Sequence, residues 1–469
     1  MRLSRLAILT VSVCRLTVLT AQPQDAFIAK PYLQIGDSSD LSKKESLLVL
    51  WHAPDADAKW VVEYRKPGAS AWRAAAPTFV TVAARGLDSH RVYRARLEKL
   101  APGSEVEYRV RKDGSALFEA KARVRKAKNQ DHRFAVFGDC AADTAPQRQV
   151  AYQTHLARPD FVFIPGDIVY SNGRISEYRK KFFPVYNADT ASPDSGAPLI
   201  RSIPFIAAPG NHDLLRSDLA LFPDLLAYFL YWAQPLNGPI KTAGSQNIPA
   251  LKGPEADQKA FLAAAKSNYP RMANFSFDYG SAHWTVLDSN PYIDWSTREL
   301  REWLTKDLAA ARKAKWRFVG FHHPGFNSAR HHFDEQRMRL LSEVFEAGKV
   351  HIVFSGHVHN YQRSFPLTFV PKGEGVSKGR IEGEWKLDRQ FDGNKRTRPN
   401  GVIYIVSGAG GARLYDPEQQ VQPASWQEFT AKFVSQVNSF TLVDAADDKL
   451  TLRQISATGS ELDRFVVTR

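Results

Sequence analysis

Five short stretches of this sequence each place chemically competent side chains directly behind an apolar run. "RFAVF" runs into "GDC" and delivers Asp139. "DFVFIP" runs into "GDIVY", with Asp167 and Tyr170. "IPFIAAP" runs into "GNHD", with Asn211, His212 and Asp213. "WRFVGF" runs into "HHP", with His322 and His323, and "VHIVF" runs into "SGHVH", with His357 and His359. A single GD or GNH is more often a turn than a ligand, and two histidines one residue apart are ordinary on a surface. Five such sites in series are a donor set. Carboxylate and phenolate oxygens are hard donors suited to a highly charged ion such as ferric iron, whereas imidazole and amide suit divalent zinc, manganese or ferrous iron. Two ions about 3.5–4 Å apart need a bridging carboxylate, and such a pair clamps the attacking and leaving oxygens of an in-line phosphoryl displacement.

The elements that must position these groups are legible too. Continuous apolar runs of four to six residues suit strands buried on both faces. Open α/β sheets place ligand sites beyond the carboxyl ends of their strands, and glycines there let the chain turn sharply. Helical spacing is predicted for "STRELREWLTKDLAAARKAK" (296–315) and "DEQRMRLLSEVFEAG" (334–348). An α/β domain is therefore expected over 132–469. It carries an aromatic-rich, partly helical insertion at about 214–270, read as packing rather than as a lid. Ahead of it, residues 28–127 alternate in short strands such as "SLLVLWHA", "KWVVEYRK" and "EVEYRVRK", the pattern of a β-sandwich. Trp51 is its expected core tryptophan, and "KAKNQDH" the linker.

The series GD, GDxxY, GNH, VxxH, GHxH resembles that of the purple acid phosphatases, within the calcineurin-like metallophosphoesterases. "LAPGSEVEYRV" resembles the fibronectin type III pattern of the N-terminal domain of the plant-type enzymes, and "FTLVDAADDKLTLRQISATGSELDRF" their terminal strands. The resemblance implies a four-layer α/β/β/α domain behind a fibronectin III-like sandwich. It implies Asp139, Tyr170 and His359 as ligands of a ferric ion, Asp167 as the bridge, and Asn211, His322 and His357 as ligands of a divalent ion (zinc, manganese or iron). His322 rather than His323 fills the VxxH position of "VGFH". His212, and His331 and His332 in "NSARHHFDEQRMR", correspond to substrate-contacting histidines. The implied activity is acid hydrolysis of phosphate monoesters by a metal-bound hydroxide, with a histidine protonating the leaving group. The sequence departs from the family at "GDCA", where GDxG is common, and at the aspartate of "GNHD", where glutamate is usual. Cys140 is read as a buried structural thiol, and "SGAGGARLY" as tight turns near the site.

Three other readings compete: a phosphodiesterase or nucleotide pyrophosphatase, a calcineurin-like protein phosphatase, and a non-enzymatic protein with a degenerate site. Tyr170 weighs against the second and the complete donor set against the third. The chain has 469 residues, 43% of them hydrophobic, and a formal net charge of +14. The charge suits an anionic partner such as a phosphate ester. No basic stripe interleaved with aromatics suggests a nucleic-acid platform. "MRLSRLAILTVSVC" followed by small residues to Ala21 reads as a signal peptide (1–21), hence a secreted or periplasmic protein. Arg15 interrupts the apolar run, so a transmembrane span is not expected. Of the two cysteines, Cys14 and Cys140, cleavage would leave one, so no intrachain disulfide is expected.

Overall fold

The computed structural model describes residues 26–242, 246–372 and 379–469, so the expected signal peptide lies outside the described residues. Among the described residues no helix is long and apolar enough to cross a membrane.

The first eight strands are β1 (Ala29–Gln34), β2 (Glu45–Pro54), β3 (Trp60–Arg65), β4 (Arg73–Ala75), β5 (Thr78–Val82), β6 (His90–Leu100), β7 (Glu105–Lys112) and β8 (Ser115–Arg123). They form two four-stranded antiparallel sheets, ordered β1-β2-β6-β5 and β4-β3-β7-β8. Trp51 and Tyr108 are fully buried between them. Trp51 stacks on Tyr93 with ring centroids 5.1 Å apart, as alternating strands with one inward face require.

The next strands are β9 (His132–Val136), β10 (Phe161–Pro165), the small hairpin β11 (Asn187–Ser192) and β12 (Gly196–Pro198), and β13 (Phe205–Ala208). Then come β14 (Phe275–Tyr279), β15 (Ala282–Val286), β16 (Trp316–Gly320), β17 (Ile352–Ser355) and β18 (Tyr361–Ser364). The chain ends with the hairpin β19 (Leu367–Pro371) and β20 (Gly383–Leu387), then β21 (Ile403–Ser407), β22 (Thr430–Val434), β23 (Ser439–Ala445), β24 (Lys449–Ser456) and β25 (Glu461–Thr468). Two mixed sheets result, β13-β10-β9-β23-β24-β25 and β14-β15-β16-β17-β21-β18-β22.

Their strands are apolar on both faces because both faces are covered. Phe134, Phe161, Phe163, Phe318 and Phe354 point into the space between the sheets. Their neighbours Ala135, Val162, Val319 and Val353 point outward, into the cluster that holds Val150 of the helix Ala145–Ala157 and Leu300, Leu304 and Leu308 of the helix Arg298–Ala310. This is the α/β/β/α arrangement.

Helix ends differ from the sequence pattern. The expected 296–315 helix is α-helical over Arg298–Ala310 and closes in a 3-10 turn. The expected 334–348 helix is replaced by a 3-10 turn at Arg337–Leu341 and a short helix, Ser342–Ala347. Tertiary bonds override helix propensity there. The Gln336 side chain receives the Ile381 N–H at 3.1 Å, and the buried Arg339 guanidinium donates to Gly325 O and Ile381 O at 2.6 and 3.1 Å.

The insertion packs. Tyr228, Phe229, Leu230, Tyr231 and Trp232 are buried, and the segment ties the two domains together. Tyr32 OH donates to Tyr231 O at 2.7 Å, and Tyr231 OH sits 2.9 Å from His90 Nε2.

Buried His283 on β15 is clamped between Asp278 (2.8 Å) and Asp307 (3.1 Å). Burial alone would lower its pKa, but the two carboxylates outweigh burial and raise it to about 9. A folded pKa above the unfolded value stabilises fully below about pH 6.5 and stops doing so as pH rises through 9. Wild type should therefore lose about 3 kcal/mol relative to His283→Gln between pH 6 and 9.5 in parallel urea titrations. A pH-independent difference would mean that His283 does not carry the charge.

Candidate metal centre

The donors come from both sheets. β9, β10 and β13 of the first sheet lead to Asp139, Asp167 with Tyr170, and Asn211; β16 and β17 of the second lead to His322 and to His357 with His359. Strand geometry alone would not aim these side chains inward. Asp139 (φ 56°), Asp167 (φ 49°) and His357 (φ 67°) turn the backbone through the left-handed region as each strand ends. Two glycines make room for them. A Cβ on Gly166 (φ +85°) would lie 2.4 Å from His322 Nδ1, and one on Gly210 would lie 2.2 Å from Asp167 Oδ1.

The side chains gather around two foci. At the first, Tyr170 OH lies 3.1 Å from Asp139 Oδ1, 3.2 Å from Asp167 Oδ2 and 3.0 Å from His359 Nε2. At the second, His322 Nε2 lies 3.0 Å from Asn211 Oδ1, 3.2 Å from Asp167 Oδ1 and 3.2 Å from His357 Nδ1. Asp167 is common to both and offers one oxygen to each. One O–H proton cannot serve three neighbours, nor can one ring N–H. A cation at each focus would satisfy all of these atoms at once, so the residues present fit a pair of metal ions.

The outer contacts fix ring orientation, as they do around bound metals generally. His322 Nδ1 bonds Pro165 O at 2.9 Å and His359 Nδ1 bonds Arg413 O at 2.6 Å. The His357 N–H donates to Asp139 Oδ2 at 2.8 Å, and the His212 N–H to Asp167 Oδ1 at 2.9 Å.

The electrostatics of the cluster suit cations. Burial raises the Tyr170 phenol, and Asp139 and Asp167 raise it further. Burial favours the neutral form of Asp167, yet His322, His212 and His357 hold its carboxyl well below the usual range. Burial lowers His357 to about 4, against the pull of Glu335. Two carboxylates and a phenol this close need positive charge to ionise together.

Three further histidines lie around the foci at different distances. His332 Nδ1 bonds Glu335 Oε1 at 2.7 Å, and its ring centroid is 3.9 Å from that of His357. His212 Nδ1 bonds Ser171 O at 2.7 Å. His331 lies further out, its side chain 55% exposed, bonded to Asp416 at 3.0 Å and stacked on Tyr415. The Asp213 carboxylate is turned into the scaffold and accepts the N–H groups of Gly210 (2.8 Å) and Ile168 (3.1 Å). Cys140 is buried, its thiol pushed up by burial, and it takes no part in the donor set. Gly408 and Gly410 of "SGAGGARLY" pack against Asp139 Oδ2 and Gly138 O.

Four further residues shape the site beyond the expected donors and substrate histidines. Glu335 lies 3.3 Å from His357 Nε2, out of line for a good hydrogen bond. Tyr415 stacks on His359 at 4.1 Å. Asp416 holds His331, and buried His323 bonds Ser289 at 2.9 Å. Among these, only His323 stood in one of the five motif stretches, beside His322 in "HHP".

A family profile for calcineurin-like phosphoesterases matches residues 132–361, and one for the purple acid phosphatase N-terminal domain matches residues 33–126. In both parts the chain resembles the purple acid phosphatases. Among curated members from Arabidopsis thaliana, it is 24% identical over 368 residues to "Probable inactive purple acid phosphatase 1", covering 72% of this chain and 51% of that one. It is 24% identical over 302 residues to purple acid phosphatase 15, covering 60% and 45%. The chain thus spans about half the length of these two relatives. A purple acid phosphatase from yellow lupin seeds shares the fold at a TM-score of 0.62 and 19% identity, covering 94% of this chain and 74% of that one.

Proposed function

We propose that this protein is an active, secreted acid phosphatase that hydrolyses phosphate monoesters at a ferric–divalent pair. Asp139, Tyr170 and His359 would hold the ferric ion, Asn211, His322 and His357 the divalent one, and Asp167 both. The single observation that carries the reading is the division of the Asp167 oxygens between the two foci, 3.2 Å from Tyr170 OH and 3.2 Å from His322 Nε2. When bound, such a pair supplies Lewis acidity and an activated water.

The chain's own residues do the rest. His212 and His332 face the foci and hold the phosphoryl oxygens. The Glu335 carboxylate takes the Nδ1 side of His332, which leaves Nε2 to carry a proton toward the leaving oxygen. The proposed leader at 1–21 and the net charge of +14 suit an exported enzyme with anionic substrates. Initial rates on p-nitrophenyl phosphate and bis(p-nitrophenyl) phosphate, with metal analysis, test the reading. Faster diester hydrolysis would make it a phosphodiesterase, and metal-free, inert protein would make it a binding module.

Tyr170 gives a visible test. A tyrosinate on ferric iron absorbs in the visible, so oxidised protein should be violet to pink and Tyr170→Phe colourless at equal iron content. Iron-loaded wild type without a visible band would remove Tyr170 from the ligand set.

A further inference from the structure

The segment 386–400 lines an open surface cavity of about 1130 Å³ at the end of the second sheet remote from the metal centre. Leu367, at its edge, bridges Val402, just ahead of β21, whereas the metal donors lie beyond the other end of the parallel β17–β21 pair. Five residues of strand separate the two ends, roughly 15 Å.

Five cationic side chains line the cavity, Lys386, Arg389, Lys395, Arg396 and Arg398, against the single carboxylate of Asp388. The loop spends its aspartates on its own backbone. Asp388 accepts the N–H groups of Gln390, Phe391 and Asn400 at 3.1, 3.2 and 2.9 Å. Asp392 accepts those of Asn394, Lys395 and Arg396 at 2.8, 2.8 and 2.9 Å.

The loop is also preformed. Phe391 is buried against Phe465, and Gly393 O and Thr397 O accept the N–H groups of Val466 and Thr468 at 2.8 and 2.7 Å along β25. Four of the five cations have no carboxylate partner among the described residues. The side chains of Lys386, Lys395 and Arg398 have no ion pair or hydrogen bond among the described residues. Arg396 meets the Gln390 amide at 2.7 Å, whereas Arg389 is engaged: it donates to Glu428 O at 3.1 Å, lies 3.7 Å from the Glu428 carboxylate and covers the Phe365 ring.

Like charges held together on a rigid loop repel one another until an anion enters. Guanidinium forks match phosphate oxygens, and the cavity has room for several phosphates at once. With no histidine and one committed carboxylate in its lining, it is built to bind rather than to ligate metal. We infer that this cavity is a binding site for a multiply phosphorylated anion, either an inorganic phosphate chain or a small molecule bearing several phosphates, separate from the metal centre.

The test is calorimetric titration of the full chain with inorganic tripolyphosphate, with orthophosphate in excess to fill the metal centre. Wild type should bind one tripolyphosphate per chain, more weakly as salt is added. The triple variant Lys395→Gln, Arg396→Gln, Arg398→Gln should bind about tenfold more weakly or worse, with p-nitrophenyl phosphate hydrolysis unchanged. If that variant melts early, Lys386→Gln with Lys395→Gln alters two exposed, partnerless side chains and gives the same comparison. Fructose 1,6-bisphosphate as a second probe separates the sources: binding by it as well identifies a small-molecule site, and its failure beside tight tripolyphosphate binding identifies a chain site. Undetectable binding by wild type, or equal affinity in wild type and variants, overturns the inference.

Discussion

Replacing Asp167 with asparagine is expected to abolish hydrolysis and to cost the protein at least one of its two proposed ions. The substitution keeps the shape of the side chain and the N–H bond from His212 (2.9 Å), but it removes the one charge that faces both foci. Lewis-acid stabilisation of a phosphoryl transition state is worth several kcal/mol, so losing a metal should cost about 10³-fold or more in kcat. The fold should survive. Asp167 sits past the end of β10, and the sheet interior and the N-terminal sandwich make no use of its charge. Metal analysis, far-UV circular dichroism and initial rates on one preparation check all three statements. Full occupancy by two ions in the variant would place the bridge on another residue.

The loss should differ in kind from that of any single terminal donor. Substituting Asn211 or His359 removes one neighbour from one focus, whereas Asp167 removes one from each. The geometry therefore separates a bridging role from a terminal one by whether one metal or both weaken.

The gathering of these proposed ligands was readable in the sequence because each follows a strand buried on both faces. Such strands declare themselves as unbroken apolar runs, and whatever succeeds them lies at one sheet edge. The sandwich was readable for the complementary reason, the alternation of its half-buried strands. Glu335, Tyr415 and Asp416 were not readable. They reach the site through loops whose paths are set by tertiary bonds, such as Tyr415 N–H to His359 O at 3.1 Å. The same cause misled the 334–348 helix, where apolar spacing was real but Gln336 and Arg339 bond across to the strand-flanking segments instead. His323 shows the limit of motif reading in the other direction. It adjoins a proposed ligand and is fully buried, its ring centroid 4.3 Å from that of His357, and its side chain gathers with those of His322 and His357, so only the VxxH spacing chose His322 over it.

Removing the His332 imidazole should slow turnover without touching the metals or the colour. His332 lies in the loop after β16, in the left-handed region (φ 57°), with Nδ1 tied to Glu335 and its ring against that of His357. The two alternatives are placed differently: His331 points outward onto Tyr415 and Asp416, and His212 is held by Ser171 O. If His332 protonates the departing oxygen, His332→Ala should cut kcat by about 10²–10⁴-fold on alkyl phosphates, whose alkoxides leave poorly. The loss should be much smaller on p-nitrophenyl phosphate, whose phenolate leaves with little help. The limb of the pH–rate profile that reports the protonated acid should flatten on the alkyl substrate alone. Equal losses on both substrates, with the pH profile unchanged, would mean that His332 only holds the phosphoryl group, and the proton would have to come from His212 or His331.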